Sequence, residues 1–202
     1  AGRGNNGGDG MVAARFLKLA GADVRVVLAP GTRCTPLFEE KLVALIAVGV
    51  KPEVWHAGLL SAFAEIKPVL IDALTGIGLT LPVRKPVIDI LNEAHSLEVT
   101  SVIAVDIPSG LDADSGAGLP ILKPTVTVTF GAAKPCHVLM PAAASCGTIL
   151  VEDIGYPTAA EQICEEKPWL REVRSEAVIA MNPWQSLARE ANRYGRGHVR
   201  VI

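Results

Sequence analysis

Paired amides and a carboxylate stand close together near the start of the chain, in the run Asn5-Asn6-Gly7-Gly8-Asp9. Carboxamide and carboxylate oxygens can bind a hard cation, and carboxamide N–H groups can donate to a nucleotide. Gly2, Gly4 and Gly7 also satisfy G-x-G-x-x-G, a spacing that lets backbone N–H groups at a helix N-terminus approach a phosphate. The run therefore predicts a small-molecule site, against the simpler alternative of a glycine-rich turn that caps a helix with Asp9.

Two further acids follow apolar segments. Asp72 ends VLID and Asp106 ends VIAVD, and a glycine-bearing loop follows each of them. Ligands of parallel α/β sheets bind outside the carboxyl ends of the strands, so both aspartates are candidates for the same site as the glycine-rich run. Either one, taken alone, is equally well explained as a helix or turn cap. Asp112 and Asp114 are expected to fix the second loop through local side-chain to backbone bonds.

Hydrophobic spacing predicts the elements that must position these residues. Predicted helices cover Met11–Ala20, the segment between Thr35 as N-cap and Gly49, Ser61–Glu65 and Pro86–His95. Predicted strands cover Val24–Leu28, Val54–His56, Val69–Ala73, Val102–Val105, Thr125–Phe130 and Thr148–Val151. The strands are almost continuously aliphatic, as expected where helices cover both faces of a parallel sheet. We therefore predict a doubly wound, Rossmann-like, three-layer αβα sandwich with a mostly parallel sheet.

Composition excludes several classes of partner. The net charge of −2 over 202 residues gives no electrostatic reason to expect nucleic acid or an anionic membrane surface as a partner. No apolar run reaches membrane-spanning length. Four cysteines without C-x-x-C spacing indicate reduced thiols and neither a zinc site nor a disulfide framework. These features together predict a cytoplasmic protein, although any targeting segment before Ala1 would not be visible.

Four motifs in sequence order resemble the NAD(P)HX epimerase family, the YjeF N-terminal domain. They are GNNGGDG, DALTGIG, VDIPSGLDADSG and TVTFGAAKP, and they span most of residues 2–155. The resemblance implies a Rossmann-like sandwich, a homodimer, and an isomerase that interconverts the R and S forms of hydrated NADH and NADPH. It leaves open which of the two dinucleotides is preferred.

The resemblance also implies roles for individual residues. Those implied to contact the hydrated dinucleotide are Asn5, Asn6, Gly7, Gly8, Asp9 and Asp106, with Gly76, Ile77, Gly78, Leu79, Thr80, Leu81 and Pro82 around its phosphates. Asn6, Asp72 and Ser109 would hold a potassium ion, and an oxygen-only donor set suits such a hard cation. Asp106 is the expected acid/base at the nicotinamide end. Lys134 could help to orient the phosphate or amide of the ligand, but it stays outside this set because a solvated lysine is at least as good an explanation. The histidines are expected to be structural or exposed.

The two ends of the chain suggest a piece of a larger repair protein. The family has N-terminal helices and a first strand before its glycine motif, whereas this chain starts within the end of that strand, which would leave unpaired edges and lower stability and activity. Residues 1–157 are predicted to be the epimerase domain and residues 158–197 a linker. Residues 198–202 resemble the first strand of a dehydratase domain.

Two other functional classes remain. Relatives of this fold also act as protein-interaction modules, so a non-catalytic nucleotide-binding or interaction module is the main alternative. A scaffold does not need convergent polar groups at strand ends, so the polar set present here argues for ligand chemistry. That set is Asn5, Asn6, Asp9, Asp72, Asp106 and Ser109. An ordinary dehydrogenase is less well supported, because the second predicted strand, VRVVLAP, lacks the acid that binds the ribose hydroxyls.

Overall fold

A computed structural model describes residues 1–118 and 120–155, which form an α/β fold with parallel strands. The helices are α1 (Asn5–Leu19), α2 (Pro36–Ala47), α3 (Lys85–His95) and α4 (Pro135–Val138), with short 3₁₀ helices at Leu60–Ile66 and Ala142–Ser145. The strands are β1 (Val27–Leu28), β2 (Glu53–Val54), β3 (Val69–Asp72), β4 (Ser101–Val105), β5 (Val126–Phe130) and β6 (Thr148–Glu152). The predicted linker and final strand, with Cys164 and His198, lie outside the described residues.

The strands form two parallel sheets. One has the order β3-β4-β5-β6, and the other pairs β1 with β2. Asp72 at the end of β3 lies beside Ala104 of β4, so Asp106 follows β4 at the same edge of the sheet. This parallel register brings the two predicted acids to one end of the fold.

The backbone of Ala1 and Gly2 joins the two sheets. The Ala1 carbonyl accepts the Ala29 N–H at 2.8 Å just after β1, and the Gly2 N–H donates to the Ala73 carbonyl at 2.8 Å just after β3. The glycine-rich run that follows is thereby placed between the ends of both sheets.

Helix α1 begins earlier than the sequence analysis predicts. The prediction placed a loop up to Met11, whereas residues from Asn5 onward are helical. Glycine disfavours a helix interior, but here a missing side chain is required, because a Cβ on Gly7 would lie 2.1 Å from the Gly2 carbonyl oxygen. Tertiary packing therefore overrides the low helix propensity of the glycines.

The predicted boundaries of the other elements are close to those observed. Thr35 caps α2 as predicted, because its Oγ1 accepts the Phe38 N–H at 3.2 Å and Pro36 stands at the first helical position. The predicted strand Val24–Leu28 is the largest departure, since only Val27 and Leu28 pair in a sheet. The Val26 carbonyl still accepts the Glu53 N–H of β2 at 2.9 Å, but Val24 and Arg25 form no backbone hydrogen bond with a described strand. Apolar character alone does not make a strand.

The core consists of separate apolar clusters. Met11, Phe38 and Leu45 lie where α1 packs against α2, while Ile90 and Leu91 of α3 pack with residues of β3 and β4. A third cluster around Ile107 and Leu111 lies beneath the loop after β4. The predicted α/β class with a mostly parallel sheet is confirmed. None of the described helices is both long and apolar enough to cross a membrane.

We expect Gly7→Ala to destabilise the protein and Gly8→Ala to leave its stability equal or higher. The alanine methyl at position 7 meets backbone that cannot move easily, and overpacking of this kind costs about 1–3 kcal/mol. At position 8 the nearest atom is 3.6 Å away, so the gain in helix propensity of about 1 kcal/mol remains. Urea unfolding of both variants measures the difference. Equal stability of the two would contradict the proposed packing.

Candidate functional site

A cleft of about 660 Å³ opens at the carboxyl ends of the strands, between the start of α1 and the loops after β3 and β4. Of the residues that the sequence analysis singles out, those that line it are Asn5, Asn6, Gly7, Asp9, Gly76, Ile77, Gly78, Leu79, Thr80 and Asp106. Leu81 and Pro82 do not line the cleft, and Gly8 packs against Phe38 of α2. Asp72 and Ser109 are buried, with 3% and 1% of their surfaces exposed.

Asp106 has an unusual backbone. Its φ of 66° lies in the left-handed region, which is uncommon for a residue other than glycine. The turn it makes places the side chain over β5, where Thr129 Oγ1 donates to Asp106 Oδ1 at 2.8 Å. Oδ2 accepts no hydrogen bond from the described residues and is not a buried atom. One carboxylate oxygen is therefore fixed, and the other is open to the cleft.

Lys134 is part of the site, contrary to the expectation of a solvated lysine. Its Nζ lies 2.5 Å from Asp106 Oδ1, 2.7 Å from Thr129 Oγ1 and 2.9 Å from the Phe130 carbonyl oxygen. Only 15% of the lysine side chain and 11% of the aspartate side chain are exposed. Three acceptors thus hold the ammonium group beside the carboxylate, as a largely buried ion pair.

His137 lies beneath this ion pair and is 5% exposed. The Lys134 N–H donates to His137 Nδ1 at 3.1 Å, so Nδ1 carries no proton and the ring is neutral. Burial, with a further contribution from the positive charge of Lys134, lowers the pKa of His137 from its ordinary value of 6.5. The predicted structural role is consistent with this burial.

A network of hydrogen bonds joins Asp72 to the loops on either side of the cleft floor. The Ser109 N–H donates to Asp72 Oδ2 at 2.9 Å, and Ser109 Oγ donates to Asp72 Oδ1 at 2.6 Å. Ser109 Oγ also accepts the Thr75 N–H at 2.9 Å, and Asn6 Nδ2 donates to the Thr75 carbonyl at 2.7 Å. The three residues predicted to bind potassium are therefore connected through Thr75.

Two oxygen-bearing groups of this network, the Asn6 amide and the Asp72 carboxylate, are incompletely paired within the described part of the chain. Asn6 Oδ1 is buried and has no hydrogen-bond donor among the described residues. Asp72 forms no salt bridge with a described basic side chain. Burial raises the pKa of its carboxyl group, although the hydrogen bonds from Ser109 and the positive charge of the Ala1 ammonium group act in the opposite direction. An unpartnered amide oxygen and a buried carboxylate fit a hard monovalent cation. Within the described part of the chain, no cluster of three or more His, Cys, Asp or Glu residues is arranged to hold a metal.

The start of α1 faces the cleft with a polar end. Gly4 provides no side-chain cap, so the first N–H groups of this 15-residue helix lack a capping side chain. Asp9 lies within the helix and is not its cap. Asp9 and Asp106 both line the cleft. Burial, together with the negative charge of Asp106, raises the pKa of the Asp9 carboxyl group.

Sequence reasoning missed Thr129 and left Lys134 outside the predicted set. Thr129 is fully buried in β5, where a polar residue needs a partner, and the alternation of TVTVTF is the signal that places it on the same face as Thr127. The signal for Lys134 is its short separation from β5 in the sequence. Lys134, the residue before α4, follows Thr129 by only five positions, which keeps the lysine near the end of the strand. Asp112 does fix its loop as predicted, since its Oδ1 accepts the Ser115 N–H at 2.9 Å.

Comparison with known proteins relates this site to one family. Residues 1–136 match the family described as YjeF-related protein N-terminus. The bifunctional NAD(P)H-hydrate repair enzyme Nnr of Thermofilum pendens is 39% identical over 166 residues, which cover 78% of this chain and 31% of that enzyme. The NAD(P)H-hydrate epimerase of Pirellula staleyi is 33% identical over 174 residues, covering 83% of this chain and 76% of that enzyme.

A solved structure shows the same fold. The crystal structure of the yeast protein ynu0, YNL200c, has a TM-score of 0.69 and 28% sequence identity over 86% of this chain and 72% of that one. The chain spans about a third of the length of the bifunctional relatives it matches.

We expect His137→Asn to flatten the dependence of stability on pH below neutrality. The folded-state pKa of His137 is lowered, so the unfolded chain binds a proton first as the pH falls through 6.5. The stability that the neutral ring supplies is present above pH 6.5 and is lost progressively down to the lowered folded-state value, at about 1.4 kcal/mol per pH unit. Urea unfolding at a series of pH values from 7.5 downward measures this loss.

His56→Asn is the matched control, because His56 is exposed. We expect it to keep the pH dependence of the wild type. If His137→Asn keeps that dependence as well, the acid-sensitive group is not His137.

Proposed function

The chain belongs to the YjeF-related N-terminal family, and we propose that it epimerises the R and S forms of hydrated NADH and NADPH at C6 of the reduced nicotinamide ring. The observation that carries this proposal is the ion pair of Asp106 and Lys134, which lines a cleft large enough for a nucleotide. The epimerase names of relatives such as the Pirellula staleyi protein support it.

The chemistry requires a group that can donate a proton and take it back. C6 of the hydrated ring carries both a hydroxyl group and the ring nitrogen. Protonation of the hydroxyl releases water and leaves a cation conjugated with that nitrogen. Water then adds to either face and loses a proton, which restores the hydrate in the R or S form. One acid/base group therefore suffices for the whole exchange.

Asp106 is proposed as this group, acting through Oδ2. Oδ1 is held by Thr129 and Lys134, so the carboxylate cannot rotate freely and Oδ2 stays directed at the cleft. In the step that releases water, Asp106 in its protonated form gives the proton on Oδ2 to the hydroxyl group and becomes a carboxylate. Its negative charge stabilises the ring cation, and the Lys134 ammonium group stabilises the carboxylate in turn. The carboxylate then takes a proton back from the water that adds to C6. A carboxylate without these contacts would be less well oriented for proton transfer.

The remainder of the dinucleotide is proposed to lie along the start of α1 and the loop after β3. Asn5, Asn6 and Asp9 offer amide and carboxylate groups, and residues 76–80 offer a narrow glycine-bearing edge. The uncapped N–H groups of α1 favour an anionic ligand. This supports contacts between these residues and the substrate. We also propose the homodimer and the cytoplasmic location that the family resemblance implies.

Potassium is the proposed cofactor, with Asn6, Asp72 and Ser109 as ligands. The support is the unpartnered Asn6 Oδ1, which belongs to the same hydrogen-bond network as a buried carboxylate that forms no salt bridge with a described side chain. When bound, the ion would supply positive charge at the floor of the cleft. Asp72 would then remain ionised at a lower cost, and Asn6 and Ser109 would be held in place.

We expect Asp106→Asn to lower the rate of epimerisation about 100-fold or more, because the amide cannot exchange a proton with the substrate. Asparagine tolerates positive φ, so the turn at position 106 is retained. Chromatographic separation of R and S NADPHX after incubation with each variant measures the rate above the uncatalysed reaction.

Asp112→Asn is the matched control, because Asp112 lies outside the cleft lining and an amide oxygen can still accept from Ser115. We expect it to react like the wild type. Wild-type epimerisation by Asp106→Asn would refute the proposed acid/base.

We expect potassium to stabilise the chain against urea more than tetramethylammonium does at the same ionic strength. Above the dissociation constant the gain in unfolding free energy is about 1.4 kcal/mol per tenfold increase in potassium concentration. Asn6→Ala and Asp72→Asn are expected to lose this gain, because each removes a proposed ligand oxygen or its charge. A potassium effect of equal size in Asn6→Ala would exclude the proposed site.

A further inference from the structure

The start of α3 carries positive charge where helix electrostatics favour negative charge. Arg84 precedes the first residue of the helix, Lys85 is that first residue, and the first turn contains no acid. The N-terminus of a helix is the positive end of its dipole, so both side chains are unfavourable there. The Arg84 side chain also forms no capping hydrogen bond. Local stability does not explain this arrangement.

Within the described part of the chain, only one of the two charges is compensated. Lys85 Nζ lies 3.0 and 2.7 Å from the two carboxylate oxygens of Asp89, one turn further along α3. Arg84 has neither a salt bridge nor a side-chain hydrogen bond among the residues described. Arg84 is exposed, so its guanidinium group is accessible to a ligand in the cleft and has no partner among the described residues.

Arg84 lines the same cleft as Asp106. Among the described residues, Arg84 and Lys134 are the basic residues of that lining. Lys134 is already paired with Asp106, which leaves Arg84 as the uncompensated cation. It follows the loop of residues 76–80 in the chain and shares the cleft wall with Thr80 and Val87.

We propose that Arg84 binds a phosphate group of the dinucleotide, and that this anion compensates the charge at the start of α3. The proposal rests on the proposed function for the identity of the ligand. A guanidinium group can donate two parallel hydrogen bonds to a phosphate, which a lysine cannot do. The phosphate is either the pyrophosphate, present in both dinucleotides, or the 2′-phosphate, present only in the NADP series.

Binding of NAD⁺ and NADP⁺ to this chain, measured by isothermal titration calorimetry, tests the proposal. We expect Arg84→Gln to raise the dissociation constant about tenfold or more, as for loss of a charge-assisted hydrogen bond. Equal losses for the two ligands assign the contact to the pyrophosphate, and a loss for NADP⁺ alone assigns it to the 2′-phosphate. Lys85→Gln, an adjacent and equally charged control outside the cleft lining, is expected to change either constant less than twofold.

Thermal unfolding separates a binding role from a structural one. Without ligand, Arg84→Gln is expected to unfold at the wild-type temperature or above it, because a charge is removed from the positive end of α3. With saturating NADP⁺ the order is expected to reverse. Equal effects of Arg84→Gln and Lys85→Gln on binding, or no binding of either dinucleotide by the wild type, would overturn the proposal.

Epimerisation of NADPHX distinguishes this proposal from the function on which it rests. Arg84→Gln is expected to raise KM while kcat is retained, because the residue does not contact Asp106 or Lys134. If the wild type binds NADP⁺ through Arg84 but epimerises nothing, the proposed function is wrong and the phosphate contact stands. If the wild type epimerises NADPHX and Arg84→Gln matches Lys85→Gln in KM, only the role of Arg84 is wrong.

Discussion

The buried carboxylate of Asp72 is the constraint on which the geometry of the cleft depends. It lies at the end of β3 and accepts hydrogen bonds from Leu74 in its own loop and from Ser109 in the loop after β4. Those bonds fix the loops relative to each other, and Thr75 extends the connection to Asn6 of α1. Removing one partner from such a buried network leaves donors unsatisfied, at a cost of about 1–3 kcal/mol each. The positions of three separate segments therefore depend on one side chain.

The left-handed turn at Asp106 is held by contacts that include the network of Asp72. A non-glycine residue with positive φ costs about 1–2 kcal/mol, so its surroundings must hold it in place. The Asp106 N–H donates to the Val128 carbonyl at 2.7 Å, and Thr129 and Lys134 hold the Asp106 side chain. Three residues further along the chain, Ser109 is fixed by its hydrogen bonds to Asp72. The same contacts that maintain the turn also direct one carboxylate oxygen at the cleft. The strained backbone and the orientation of the proposed acid/base thus have a common cause.

Local sequence signals predicted the parts of this structure that local physics controls. Thr35 followed by Pro36 predicted the start of α2, and the aliphatic runs predicted β3 to β6 to within a residue or two, because caps and buried strands depend on few neighbours. The start of α1 could not be predicted in this way, since its glycines are tolerated only through their contact with distant backbone. Lys134 was missed for a similar reason. Its burial depends on the return of the chain after β5, whereas the motif around it specifies only a lysine before a proline.

Two charges of opposite sign have no salt-bridge partner among the described side chains, and one short segment connects them. Asp72 is a buried carboxylate and Arg84 is a cation at the positive end of α3, and neither forms a salt bridge within the described part of the chain. Both violate rules that favour stability, and no described side chain forms a salt bridge with either of them, although Asp89 does so for Lys85. Unpaired charges of this kind are expected where a bound ligand supplies the opposite charge, because selection then acts on the stability and function of the bound state. The opposite signs require two different ligands, a cation at the floor of the cleft and an anion at its rim. Residues 73–83, which join the two positions, contribute most of the cleft wall between them, so the same loop must satisfy both ligands.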